Sequence, residues 1–200
     1  MPNNYVYLSP GNRTKLEALH SFTKNVEDTY VTDICRSCGI SRTTFYSHFE
    51  TKYSIGLWFL DFAFDLFFKD ADDFSWNIAM ASFFSFLYSE KDSLKYAFSK
   101  TPMRGAIESQ FLDHAESARQ LAIQKGVEPD EELSFYVKQA FNIGNLLTVH
   151  WCQDCMTIEP SRMAYYVTSF MPEALITVFD PTFSGAELLE EFNTYTWILK

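Results

Sequence analysis

Glycine and proline are scarce in this 200-residue chain, with seven of each. They fall mostly between periodic apolar segments, where they punctuate helices rather than interrupt them. Alternating apolar and polar runs of useful length are missing, and so is any internal repeat. Those absences exclude strand-built and solenoid architectures. No apolar stretch approaches the roughly 18 residues of a membrane span. The richest run, Ile55 to Phe68, is cut by Asp61 and Asp65. The opening Met1-Pro2-Asn3-Asn4-Tyr5 has neither the basic cluster nor the apolar run of a secretory leader. We therefore expect a cytoplasmic protein, with no membrane partner and with its cysteines reduced.

Catalytic signatures are missing as well. There is no nucleophile–base pattern, no glycine-rich phosphate loop and no paired catalytic carboxylate motif. The expectation is a protein that is not an enzyme and needs no cofactor.

What is present is an apolar content of 47% and an aromatic content of 18%, with 20 Phe and 11 Tyr. Such a chain buries a sizeable core. The formal charge of −10 argues at first against nucleic acid. Its distribution is uneven, however. Residues 1–53 carry six Lys/Arg and five Asp/Glu, a net of +1; residues 54–200 carry ten and twenty-one, a net of −11. An acidic body with a near-neutral head is left to bind DNA through local contacts rather than long-range attraction.

The pattern reads as all-α. A first helix is expected over 13–24, capped by Asn12. A second spans 30–37, with Val31, Ile34, Cys35 and Cys38 as an apolar stripe at i, i+3, i+4 and i+7. Gly39 supplies a turn. Ser41 caps a short third helix that carries Phe45 and Phe49 inward, and Thr51 caps a fourth that runs to about Phe68. Asp70-Ala71-Asp72-Asp73 marks a break. Helices at 75–89, 91–99 and 103–125 follow, with Gly126 as a stop. Pro129 opens a helix to about Cys152, and Pro160 opens another that Pro172 must kink or split. Ser184-Gly185-Ala186-Glu187 is a capping box for a last short helix.

Two short helices joined by a glycine turn, the second one rich in hydroxyls, describe a helix-turn-helix. One helix lies in the major groove while the other braces it. In the second helix Arg42, Thr43, Thr44 and Ser47 suit base edges, since Arg pairs bidentately with guanine and Thr packs on a thymine methyl. Tyr46, His48 and Lys52 suit phosphates, which fix register rather than sequence.

The run from Tyr30 to Lys52 closely resembles the DNA-binding segment of TetR-family regulators. The matching features are Ile34 in the second helix, the Gly39-Ile40-Ser41 turn, the Thr44-Phe45-Tyr46 triplet, the His48-Phe49 pair and Lys52 opening the fourth helix. The likeness is strong over about residues 13–60 and rests beyond that on length and helical pattern. It implies a DNA-binding domain over 1–53 and a helical ligand-binding and dimerisation domain over 54–200. It implies a transcriptional repressor, released from a palindromic double-stranded operator by an unknown small-molecule effector. It further implies a homodimer through two long helices at about 130–152 and 160–179, with middle helices enclosing a ligand pocket. The family's usual Thr at the start of the second helix, which caps it and touches phosphate, is Tyr30 here, with Thr29 just before. Thr29 and Tyr30 join Tyr46, His48 and Lys52 as expected phosphate contacts, and Ser41 completes the reading surface.

Other residues admit two readings. Cys35-x-x-Cys38 and Cys152-x-x-Cys155 have metal-ligand spacing, yet the first pair lies on an apolar stripe and the second beside a loop. We expect no metal site from them. His114 or His150 beside Glu108, Asp113 or Glu116 lacks the tight histidine pair of a helical metal site. The aromatics Phe83, Phe84, Tyr88, Tyr96, Phe98 and Phe111 suit a pocket for an apolar ligand, though a stripe at helical spacing is more often plain core. Two alternatives to the regulator reading remain: a co-regulator of the same fold acting through a protein partner, and a redox or metal sensor.

Overall fold

The computed structural model describes residues 8–68, 75–99, 104–128 and 130–183, and within them not the side chains of 104–112 or of Ala174. Among the described residues the chain folds into ten α-helices and one short 3-10 turn, with no strand. None of these helices is long and apolar enough to cross a membrane. The Asp70–Asp73 break and the Ser184–Leu189 tail lie outside the described residues.

The first helix, α1 (Pro10–His20), starts and ends earlier than its apolar pattern predicts. Ser9, not Asn12, is the cap: its hydroxyl accepts the Asn12 N–H at 3.2 Å. Pro10 follows at the first helical position, where its missing N–H costs nothing. At the far end the chain leaves the helix at Ser21, whose hydroxyl donates to the Ala18 carbonyl at 2.6 Å. Phe22 then turns into the core instead of continuing the helix. A 3-10 turn (Val26–Asp28) leads to α2 (Val31–Cys38) and α3 (Arg42–His48). Leu16, Leu19, Phe22, Val26, Ile34, Phe45 and Phe49 close the core of this head, all of them buried.

The fourth helix, α4 (Ser54–Phe68), begins three residues after Thr51. Ser54 there accepts the Thr51 N–H at 3.3 Å, so the expected cap donates through its backbone amide. This apolar helix packs on α1 and on α5 (Trp76–Ser89), and thus belongs to head and body alike. The short α6 (Lys91–Ala97) lies across both α1 and α4. Its approach to α4 depends on Gly56: a Cβ there would stand 3.1 Å from the Phe98 ring, which is fully buried.

The rest of the body is built by α7 (Arg104–Gln124), α8 (Glu131–Gln153), α9 (Pro160–Ser169) and α10 (Glu173–Phe179). Gly126, at φ +96°, stops α7 as expected, and Asp130 caps α8 by accepting the Leu133 N–H at 2.6 Å. Pro172 splits the expected 160–179 helix outright, because its ring and missing N–H cannot continue α9. The two long helices implied by the family likeness are therefore one long helix and two short ones. The second of the short ones, α10, packs on α7, with Leu175, Ile176 and Phe179 buried. The strongest pairings in the body set α7 against α8 and α5 against α9. The first amide of α5 is capped from far away: Asp180, itself buried, accepts the Trp76 N–H at 2.9 Å.

Polar contacts join head to body. The Ser99 hydroxyl accepts the Val26 N–H at 3.2 Å. His20 meets Glu90 at 2.8 Å, and this hydrogen bond raises the imidazole above its ordinary value of 6.5. The bond favours the folded state fully below about pH 6.5 and is lost as pH rises through the higher folded value. The ring is 47% exposed, and solvent screening holds the contribution to roughly 0.5 kcal/mol. His20→Gln, neutral throughout, should unfold earlier than wild type in urea at pH 5.5, and the gap should vanish by pH 8.5. Gly56→Ala should lower stability by about 1–3 kcal/mol in the same melts, since the buried Phe98 ring has nowhere to retreat.

Candidate nucleic-acid interface

The turn between α2 and α3 is fixed by backbone chemistry. Gly39 takes the left-handed conformation at φ +65°, which L side chains rarely adopt. The next amide, Ile40 N–H, reaches back to the Cys35 carbonyl at 3.0 Å and closes the end of α2. Ser41 then caps α3 as its sequence predicts, accepting the Thr44 N–H at 3.0 Å. The stripe of α2 is buried as expected, with Ile34 and Cys35 in the core and Val31 and Cys38 at its margin.

Phe45 faces wholly inward and meets Phe49 at 5.5 Å between ring centres. That anchoring turns the opposite face of α3 to solvent. Ser41, Arg42, Thr43, Tyr46 and Ser47 are exposed, while Thr44 and His48 are half-buried. The Thr44 hydroxyl is taken up by Ser41 at 2.9 Å, and Ser47 donates to the Thr44 carbonyl at 2.8 Å. The Arg42 guanidinium lies 6.0 Å from the Tyr46 ring. The exposed face thus offers a forked cation and several hydroxyls on one rigid short helix, a donor set matched to acceptor-rich base edges and phosphates.

Two expected phosphate contacts are placed differently. Thr29 is buried, and its hydroxyl donates to the Asn25 carbonyl at 3.1 Å. It neither caps α2 nor faces outward; α2 has no side-chain cap at all. Lys52 is half-buried and donates to the carbonyls of Thr29 at 2.8 Å and Glu27 at 3.0 Å. An ammonium has three donors, so two are occupied in clipping the chain before α2 to the start of α4. Tyr30, by contrast, is 68% exposed, and the Lys24 ammonium lies 5.9 Å from its ring. Lys24 was not legible as part of this surface, because only the 3-10 turn brings it beside Tyr30. Arg36 is exposed but paired with Asp33 at 3.2 Å.

The expected ligand pocket is mostly core. Phe83, Phe84 and Phe98 are buried. Phe84 meets Trp151 edge-on at 5.4 Å, and Tyr88 stacks on the same indole at 6.2 Å. Tyr88 and Tyr96 are half-buried beneath Lys91 and Lys95. The side chain of Phe111 lies outside the described residues. A cavity of about 450 Å³ opens elsewhere, between α7 and α8, lined by Ala115, Glu116, Arg119, Ser134, Val137 and Lys138. Glu116 there is held down to about 2 by hydrogen bonds from Arg119 and Gln120.

The cysteines are all free. Burial pushes the Cys152 thiol up and raises Cys38 to about 11, so neither is poised as a thiolate at neutral pH. Cys155 is exposed, in a turn where it and Met156 both adopt positive φ. His150 is exposed on α8, and the side chain of Glu108 is outside the described residues. His114 joins neither Asp113 nor Glu116. It is buried against α4, 2.7 Å from Asp61, with Asp65 one turn further along. The i, i+4 carboxylates inside an apolar run were the sequence signal for that cluster; their histidine partner, fifty-three residues away, was not.

No protein-family model matches this chain, and no curated protein matches it.

Lys52→Ala should lower unfolding stability by about 1 kcal/mol in urea melts, because the part-buried Thr29 carbonyl and the exposed Glu27 carbonyl lose a charged donor. A variant as stable as wild type would show the clip to be dispensable.

Proposed function

We propose that the chain is a TetR-like DNA-binding transcriptional repressor. Residues 1–53 form its helix-turn-helix head and residues 54–200 its ligand-binding and dimerisation body. The observation that carries this reading is the outward face of α3. Arg42, Thr43, Tyr46 and Ser47 stand exposed on a helix held by the Gly39 turn, the Ser41 cap and the inward Phe45. The resemblance of residues 30–52 to the family's DNA-binding segment supports it further. Arg42, Thr43 and Ser47 read bases, and Tyr30, Tyr46 and Lys24 meet phosphates.

Dimerisation is supported by what α8 and α9 leave uncovered. Phe135, Tyr136, Ile143 and Leu146 form an exposed stripe along α8, and Tyr166 on α9 and Phe170 just past its end are exposed as well. Exposed apolar residues at helical spacing on neighbouring helices suit a self-complementary interface. Two heads fixed by such a pairing read half-sites roughly 34–36 Å apart.

A second reading, a co-regulator of the same fold working through a protein partner, is favoured by Lys52, whose ammonium is turned onto backbone carbonyls. Selection of random duplex DNA on the purified protein separates the two. We expect an enriched palindrome at low and moderate salt; no enrichment by a folded dimer favours the partner. Arg42→Ala should then weaken binding to the enriched site by about 1–3 kcal/mol and relax one position of it.

A further inference from the structure

We propose that Asp61, Asp65 and His114 form a binding site for a divalent first-row transition-metal ion that clamps α4 to α7. Each residue offers one ligand atom, and the three atoms lie within 4.8 Å of one another. Ligands sharing one ion stand roughly 3–4 Å apart, so small rotations of the two carboxylates complete the set.

The chemistry of α4 supplies two anionic oxygen ligands to the cluster. Asp61 and Asp65 are the two ionisable residues of an otherwise apolar helix, one turn apart and both half-buried. Like charges at that spacing repel, and partial burial strengthens the repulsion. A divalent ion neutralises both carboxylates and needs only a neutral imidazole.

The histidine is already oriented. Its ring is buried and stacked on Phe64 at 4.2 Å, with an interplanar angle of 18°, and its Nε2 is aimed at the Asp61 carboxylate 2.7 Å away. The ion takes the place of the proton between Nε2 and Asp61; that proton leaves to solvent, and the imidazole keeps its other proton on Nδ1. The Asp61 side chain is 41% exposed, which opens a path for the ion. One nitrogen and two carboxylate oxygens select ions such as Mn²⁺, Fe²⁺, Co²⁺ or Zn²⁺ over Mg²⁺ and Ca²⁺.

The position gives the ion leverage. Helix α4 packs against α1 of the head, and its middle and C-terminal turns carry the cluster. Fixing α4 against α7 sets where the head stands. This regulatory role rests on the reading of the head as a DNA binder; the metal site itself does not.

The test uses the full, tag-free chain dialysed against chelator and titrated with Co²⁺, with Zn²⁺ as competitor and Mg²⁺ as control. We expect one Co²⁺ per chain, displaced by Zn²⁺ and not by Mg²⁺. Affinity should fall by about tenfold or more in Asp61→Asn and Asp65→Asn, which keep shape and lose charge. Proton NMR of the wild-type protein should show the His114 ring, and not His20, His48 or His150, shifted by the paramagnetic ion; this holds even if a variant misfolds. No Co²⁺ or Zn²⁺ retention, undiminished binding in both variants, or a shift at another histidine overturns the site. With the duplex enriched by selection, saturating Zn²⁺ should change retention by about fivefold or more. An unchanged retention overturns the regulatory role while the titration upholds the site. If no duplex is enriched, the DNA-binding reading fails and the titration still decides the metal.

Discussion

The close approach of α4 and α6 at Gly56 is the constraint on which the rest of the arrangement depends. The Phe98 ring lies against the glycine backbone, in space that any side chain would fill. Around that contact the neighbouring parts converge. The Phe98 carbonyl accepts from Gln153 at the end of α8, and Ser99 accepts from Val26 in the head. Head, connecting helix and body thus meet at one glycine–phenylalanine contact. Close-packed interiors transmit displacement rather than absorb it, so movement of α4 in the body reaches the head.

In the head, the sequence was most informative where the physics is local. Ser41 accepts from an amide three residues on, and Gly39 adopts a conformation closed to other residues; both follow from residue type and spacing. Phe45 and Phe49 turn inward as their periodicity requires. The errors lie where a side chain answers to something distant. Thr29 reads as a free hydroxyl but folds back onto the 3-10 turn, and Lys52 reads as an exposed cation but reaches carbonyls more than twenty residues earlier. A charge near an exposed polar helix can serve the local fold before it serves a ligand.

The body repeats the contrast. Gly126, Pro160 and Pro172 mark helix ends directly in sequence, because each acts on its own backbone. Its aromatics do not declare their partners. Phe84, Tyr88 and Trp151 pack together from α5 and α8, so residues that look like pocket lining prove to be core. The cluster of Asp61, Asp65 and His114 is half legible for the same reason. The carboxylates betray themselves by interrupting an apolar run, and the histidine that completes them lies on another helix.

The cap of α5 has a consequence for the order of assembly. The first amide of that helix is satisfied by a carboxylate 104 residues further along, which also holds the hydroxyl of Thr182 at 2.6 Å. On the ribosome, α5 is complete long before Asp180 has been synthesised. Domains fold as units while the chain emerges, and α5 passes that interval with its N-terminal end open to water or to a chaperone. The caps of α1 and α3, Ser9 and Ser41, lie beside the amides they accept, and those two helices have no such wait. The nascent chain therefore presents capped N-terminal helices tethered to a body that closes only when the turn after α10 arrives.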